Sequence, residues 1–169
     1  MNAKLIIDGK EINVNISEEI LSTILNEKKT GYERCKSGET YYLCTDGMSE
    51  ACDFKESGDI VDDGRYERAT YYSDPTVAEN NARADKLMRQ LRRFAVERRN
   101  KDLMDWGPIS SYKWCIFYDY GEHQLCCHQD MENRMFGAVY FESKSQARDA
   151  INTFRDELIW YFTEYKDSL

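Results

Sequence analysis

His123, Cys126, Cys127 and His128 bring both histidines of the chain and two of its six cysteines into six consecutive positions. Imidazole and thiolate at this density are zinc donors. A closed zinc site needs four ligands, usually as two spaced pairs, and no second pair follows. On a strand, alternation sends His123 and Cys127 to one face and Cys126 and His128 to the other. The same residues contain a Cys–His dyad, but no sequence context activates either thiol. No Walker A loop, G-x-G-x-x-G after a strand, G-x-S-x-G elbow or H-E-x-x-H helix is present. The sequence therefore assigns no catalytic residue, no metal and no cofactor, and it predicts a protein that is not an enzyme.

Charge carries a second kind of chemistry. Glu50, Asp53, Glu56, Asp59 and Asp62 recur every third residue, and Asp63 follows. Carboxylates spaced this way can occupy a groove built for nucleic-acid phosphates, drawn in by the field that steers the nucleic acid itself. They do not match the ligand positions of an EF-hand. Without such a partner the segment is a charged loop crossing solvent. Residues 82–101 are the opposite, with eight Lys or Arg against two acids. At 100° per residue, Lys86, Arg89 and Arg93 lie opposite an apolar stripe, with Arg83 and Arg92 on its flanks. Such a face can grip phosphates or a partner's carboxylates, or it can pair with the acidic segment 48–67. Trp160 and Ile159 fall off the apolar stripe of the last helix. That marks Trp160 as an exposed interface anchor, or as a residue covered by the N-terminal module or by a second subunit in a homodimer.

The elements that must position these groups read as α+β. Residues 3–15 predict a hairpin about Asp8-Gly9, a dipeptide suited to a tight turn. Ser17 then caps a helix to about Asn26, completing an N-terminal hairpin–helix module over 1–28. Residues 29–38 read as a linker, and 39–169 as one domain of two β-meander-plus-helix units, 39–100 and 110–165. The units form an internal repeat at an offset of 69: Arg65 with Arg134, Ala69 with Ala138, Tyr71 with Tyr140, Tyr72 with Phe141, Ala78 with Ala147. Each closes with an amphipathic helix, over 74–99 and 143–165. Val77, Ala84, Leu87, Met88, Leu91, Phe94 and Ala95 form the first apolar stripe; Ala147, Ala150, Ile151, Phe154, Leu158, Tyr161, Phe162 and Tyr165 form the second. Pro75 suits the first helical turn, and Trp106 the junction between units.

Composition bounds the rest. The chain has 169 residues, 32 % of them charged and 13 % aromatic, with a net charge of −8. That is too aromatic for a disordered chain and too polar for a membrane protein. The acidic balance opposes general affinity for DNA. The N-terminus lacks the apolar core of a secretory signal, so the sequence predicts a cytoplasmic protein with reduced cysteines.

With TGYERCKSGETYYL (30–43), DIVDDGRYERATYYSD (59–74) and LRRFAVE (91–97), the chain resembles a family of small acidic accessory proteins encoded by phages and prophages of Firmicutes. KWCIFYDY, FGAVYFES and AINTFRDEL are similar to that family's closing unit, and the resemblance spans residues 30–165. Ala69 and Thr70 replace a turn that more usually contains Asn. The resemblance implies a protein acting in a host bacterial cell against its defences. An anti-CRISPR inhibitor that blocks the nucleic-acid-binding or target-recognition surface of an effector nuclease, or of its ribonucleoprotein, is the leading expectation. Two alternatives stay open: a nucleic-acid-binding module that uses the basic helix, and a cleft for a small signalling molecule walled by Tyr42, Tyr71, Phe117 and Tyr140.

Overall fold

A computed structural model describes residues 2–7, 10–15, 29–44, 50–100, 106 and 111–168. Among them the protein is α+β, with three two-stranded antiparallel sheets and four helices. Strand β1 (Asn2–Ile7) pairs with β2 (Lys10–Asn15), from Asn2 opposite Asn15 to Ile7 opposite Lys10. The expected turn residues Asp8 and Gly9, and the helix expected over 17–26, lie outside the described residues. No helix among the described residues is long and apolar enough to cross a membrane.

Strands β3 (Thr40–Leu43) and β4 (Cys52–Lys55) form the second hairpin, Tyr41 opposite Phe54. The segment expected to be a charged loop is instead β4, a tight turn and helix α1 (Ile60–Glu67). Asp59 starts that helix by accepting from the backbone of Val61 and Asp62. The helix stops in a left-handed turn: Ala69 has φ 54°, Thr70 N donates to Arg65 O, and Ala69 N donates to Tyr66 O. That is a Schellman closure with alanine where glycine is usual.

Residues 29–38 are not a free linker. Ser73 N donates to Gly31 O, Gly38 N to Glu56 O, and Cys35 N to the Tyr71 hydroxyl. Gly31 has φ +90°, and a Cβ there would sit 2.7 Å from Val77 Cγ2. Only glycine lets this segment cross the start of helix α2 (Pro75–Glu97) so closely. Asp74 caps α2 at Val77 N, and Pro75 takes the first turn, where a missing N–H costs nothing.

The apolar stripe of α2 is buried, apart from the half-buried Met88. Leu87, Leu91, Phe94 and Ala95 share one core with Phe141, Ala147, Ala150, Ile151 and Leu158. A smaller core of Tyr41, Leu43 and Tyr71 lies on the β3–β4 side. Strands β5 (Lys113–Asp119) and β6 (Gln124–Asp130) pair with Cys115 opposite His128, and Trp114 and Ile116 pack onto the larger core. The single helix expected over 143–165 is two. Helix α3 (Lys144–Thr153) ends at Phe154, φ −115° and ψ 24°, before α4 (Arg155–Thr163) begins. Thr153 Oγ1 bonds back to Asp149 O, a side-chain contact that bends helices without any proline or glycine.

Candidate functional site

The acidic segment divides in two on folding. Glu56 and Asp62, expected on a partner-binding face, are buried at 4 % and 3 % exposure. Glu56 Oε2 accepts from the Tyr71 hydroxyl at 2.7 Å, and Oε1 accepts from Arg34 Nη2 at 3.1 Å and Gly58 N at 2.9 Å. Asp62 Oδ1 accepts from Tyr41 at 2.6 Å, and Oδ2 accepts from the backbone and hydroxyl of Ser57 at 2.8 Å each. Arg65 donates to the same Tyr41 hydroxyl and lies 4.2 Å from the centre of the Phe54 ring. The two phenol rings stack at 4.0 Å and 11°.

Charge follows these contacts. The Arg34 hydrogen bond and then Tyr71 hold Glu56 below the usual carboxylate range, and Tyr41 followed by Ser57 does the same for Asp62. Burial, reinforced by the carboxylate each one faces, raises both phenols. Every carboxylate oxygen of the pair has a donor, which is what two buried charges require to be tolerated. Glu56 and Asp62 are thus internal struts. Glu50, Asp53, Asp59 and Asp63 stay exposed. Asp63 is bound to Arg34 at 2.6 Å, and Asp59 is spent partly on its cap. The three-residue spacing crosses strand, turn and helix, so it does not survive as one row.

Along α2, Lys86, Arg89, Arg92 and Arg93 are exposed as expected. Arg83 is committed elsewhere: it clasps Glu157 through two bonds of 2.8 and 3.1 Å, and its guanidinium lies 3.9 Å from the centre of the Trp160 ring. The basic helix therefore meets α4 rather than the acidic segment. Trp160 is 8 % exposed, a correction to its expected place on the outer surface. Leu158, Tyr161 and Phe162 keep the expected stripe on the core, and the indole is covered on another side by Arg83 and Tyr165.

An open groove of about 1180 Å³ runs between α2 and the α3–α4 junction, with Lys86, Arg89, Asn152 and Arg155 on its walls. Glu79, Asp156 and Glu157 line it too, so its charge is nearly balanced. None of Tyr42, Tyr71, Phe117 and Tyr140 lines this groove. Tyr71 is stacked on Tyr41, Tyr140 donates to Asn133 O, and Phe117 meets His128 edge-on. Tyr71, Tyr140 and Phe117 are thus each engaged in separate contacts. Trp106 packs edge-on against Tyr140 at 4.8 Å.

Strand alternation also parts the histidine and cysteine run. Cys127 packs against the larger core, His128 lies beside Phe117, and His123 sits in the β5–β6 turn with φ 52°. Among the described residues no three His, Cys, Asp or Glu side chains converge as metal ligands. All six cysteines are free thiols, and burial raises those of Cys44, Cys115 and Cys127.

Two features escaped the sequence reading. Lys113 is buried, its Nζ 3.3 Å from Met131 O and 4.9 Å from the centre of the Trp106 ring. Ile60 and Val61, an apolar pair set among acids, stand in solvent on α1. In the sequence that pair shows only as two apolar residues between Asp59 and Asp62. No family model, no curated protein and no solved structure matches this chain.

Proposed function

We propose that the protein is a non-enzymatic, phage-encoded inhibitor that works in the host cytoplasm by binding a defence protein, in the first instance a CRISPR effector nuclease. The observation that carries this reading is the mutual satisfaction of the buried polar groups. Glu56, Asp62, Tyr41, Tyr71 and Arg34 spend their donors and acceptors on one another. Groups held this way stiffen a scaffold and are poor proton carriers. Interaction then falls to the outer surface, where Glu50, Asp53, Asp59 and Asp63 are exposed on the β3–β4 and α1 side and Lys86, Arg89, Arg92 and Arg93 on α2.

The matching backbone bridges support reading the two units as copies of one motif. Tyr42 is bridged to Tyr72 just before α2, and Trp114 to Phe141 just before α3. Asp74 and Ser143 then cap the two helices in the same way.

The test is target-DNA cleavage by a purified effector ribonucleoprotein from the same bacterium, with increasing amounts of this protein. Cleavage should stop near equimolar inhibitor, and full cleavage at large excess would refute the reading. The exposed Lys86, Arg89, Arg92 and Arg93 favour a second reading, direct nucleic-acid binding. A duplex shifted at low salt, with affinity falling steeply as salt rises, would establish it; no shift would remove it.

A further inference from the structure

Strand β6 forms one edge of the β5–β6 sheet, and its hydrogen bonding follows from its neighbour. On the far edge of β5, Trp114 N donates to Phe141 O at 2.9 Å and Phe141 N donates to Trp114 O at 2.7 Å. The N–H and C=O of Trp114 therefore point away from β6. In an antiparallel pair that orientation recurs at every second residue. Trp114 stands opposite Gln129, Ile116 opposite Cys127 and Tyr118 opposite Leu125. Leu125, Cys127 and Gln129 thus direct their own N–H and C=O groups outward, along the other side of β6. Among the described residues no strand pairs with that side.

An edge of this kind is a template for another strand, and proteins usually block it with charge, proline or short length. Strand β4 carries such a block: it has four residues, Asp53 and Lys55 among them. Strand β6 has seven residues, no Lys, Arg or proline, and one acid, its terminal Asp130. We propose that β6 pairs antiparallel with β6 of a second copy, about a two-fold axis at Cys127, and so builds a four-stranded sheet across a homodimer. The edge itself selects this occupant. Bonds form only where outward-pointing residues meet one another, and a self-pairing centred on Cys127 achieves this throughout. Leu125 meets Gln129 on both sides of the axis, Cys127 meets its own copy, and each pair exchanges two backbone bonds. A centre one residue away would set outward groups against inward ones. Between the bonded pairs Gln124 faces Asp130 and Cys126 faces His128, so no like charges oppose. Each copy uses its one edge on the other, which closes the assembly at two. The charges of Arg148 and Lys144 on α3 reach Cys127 in each copy. Both side chains are exposed, so salt screens their repulsion across the axis.

This pairing is independent of the inhibitor reading. Its test is the oligomeric state of the full chain by sedimentation equilibrium in reducing buffer. A dimer of micromolar affinity is expected, and a monomer up to millimolar concentration would overturn the proposal. Gln129→Pro removes one outward N–H from each copy and leaves the bonds of β6 to β5 in place. It should weaken the dimer about tenfold or more while the chain still folds. Gln124→Asp sets a carboxylate opposite Asp130 of the second copy and should weaken the dimer severalfold, whereas Gln124→Lys should tighten it. If Gln129→Pro does not fold, the opposite signs of the two Gln124 variants decide. A dimer indifferent to a folded Gln129→Pro chain, or to both Gln124 variants, would belong to another surface and overturn the proposal.

Discussion

Tyr71 donates its phenol proton to Glu56 Oε2 at 2.7 Å, across 15 positions of sequence, and accepts from Cys35 N at 3.1 Å. One hydroxyl thus joins the 29–38 segment, the end of β4 and the approach to α2. Tyr71→Phe keeps the ring stacked on Tyr41 but leaves a buried carboxylate and an amide each short of a partner. The expected loss is about 1–3 kcal/mol in urea unfolding. A loss below the error of that measurement would show that the hydroxyl is dispensable.

Acid should unfold the protein through its carboxylates. Bonds from the Thr30 backbone and hydroxyl draw Glu33 from 4.5 down to about 2, and Glu56 and Asp62 are lowered as well. Groups depressed on folding stabilise fully above their unfolded pKa, and that contribution fades as pH falls toward the folded value. The melting temperature should be level at neutral pH and drop between pH 4.5 and about 2. Glu33→Gln should melt below the parent at pH 7, with the gap closing near pH 2. A gap independent of pH would contradict this.

Gly31→Ala should be costly twice over. The new methyl meets Val77 Cγ2 at 2.7 Å, and φ +90° is strained for any side chain. Together these predict a loss of about 2–4 kcal/mol by thermal or urea unfolding.

Ala69 offers the opposite experiment. It holds φ 54° at the end of α1, where nothing but backbone bonds is required. Ala69→Gly should raise stability by about 1 kcal/mol, because glycine removes the left-handed penalty. A neutral or destabilising result would mean that the methyl makes a compensating contact.

Helix α2 was legible because every determinant is local: Asp74 and Pro75 begin it, and its apolar residues recur at helical spacing to Ala95. Strands β1, β2, β3 and β5 were legible from local pattern too, whereas β4 fell in a segment expected to be a charged loop. The break at Phe154 was not legible, because no glycine or proline marks it. Trp160 was misplaced because its cover, Arg83, comes from a different helix. The fate of Glu56 and Asp62 was invisible for another reason. Whether a carboxylate is buried depends on its donors, and Tyr71 and Tyr41 lie 15 and 21 positions away. A row of acids shows only its spacing. The same long-range pairing draws Asp62 inward and turns Ile60 out.

The placement of α2 between the two halves limits how the protein can be divided. Leu87, Leu91 and Phe94 find their neighbours in Phe141, Ala147 and Ile151, far beyond the helix in sequence. A fragment ending at residue 100 would carry an oily flank with nothing to cover it, and would clump rather than stay in solution. During synthesis the leading portion must wait for the trailing one, so the chain matures late and as a single cooperative whole.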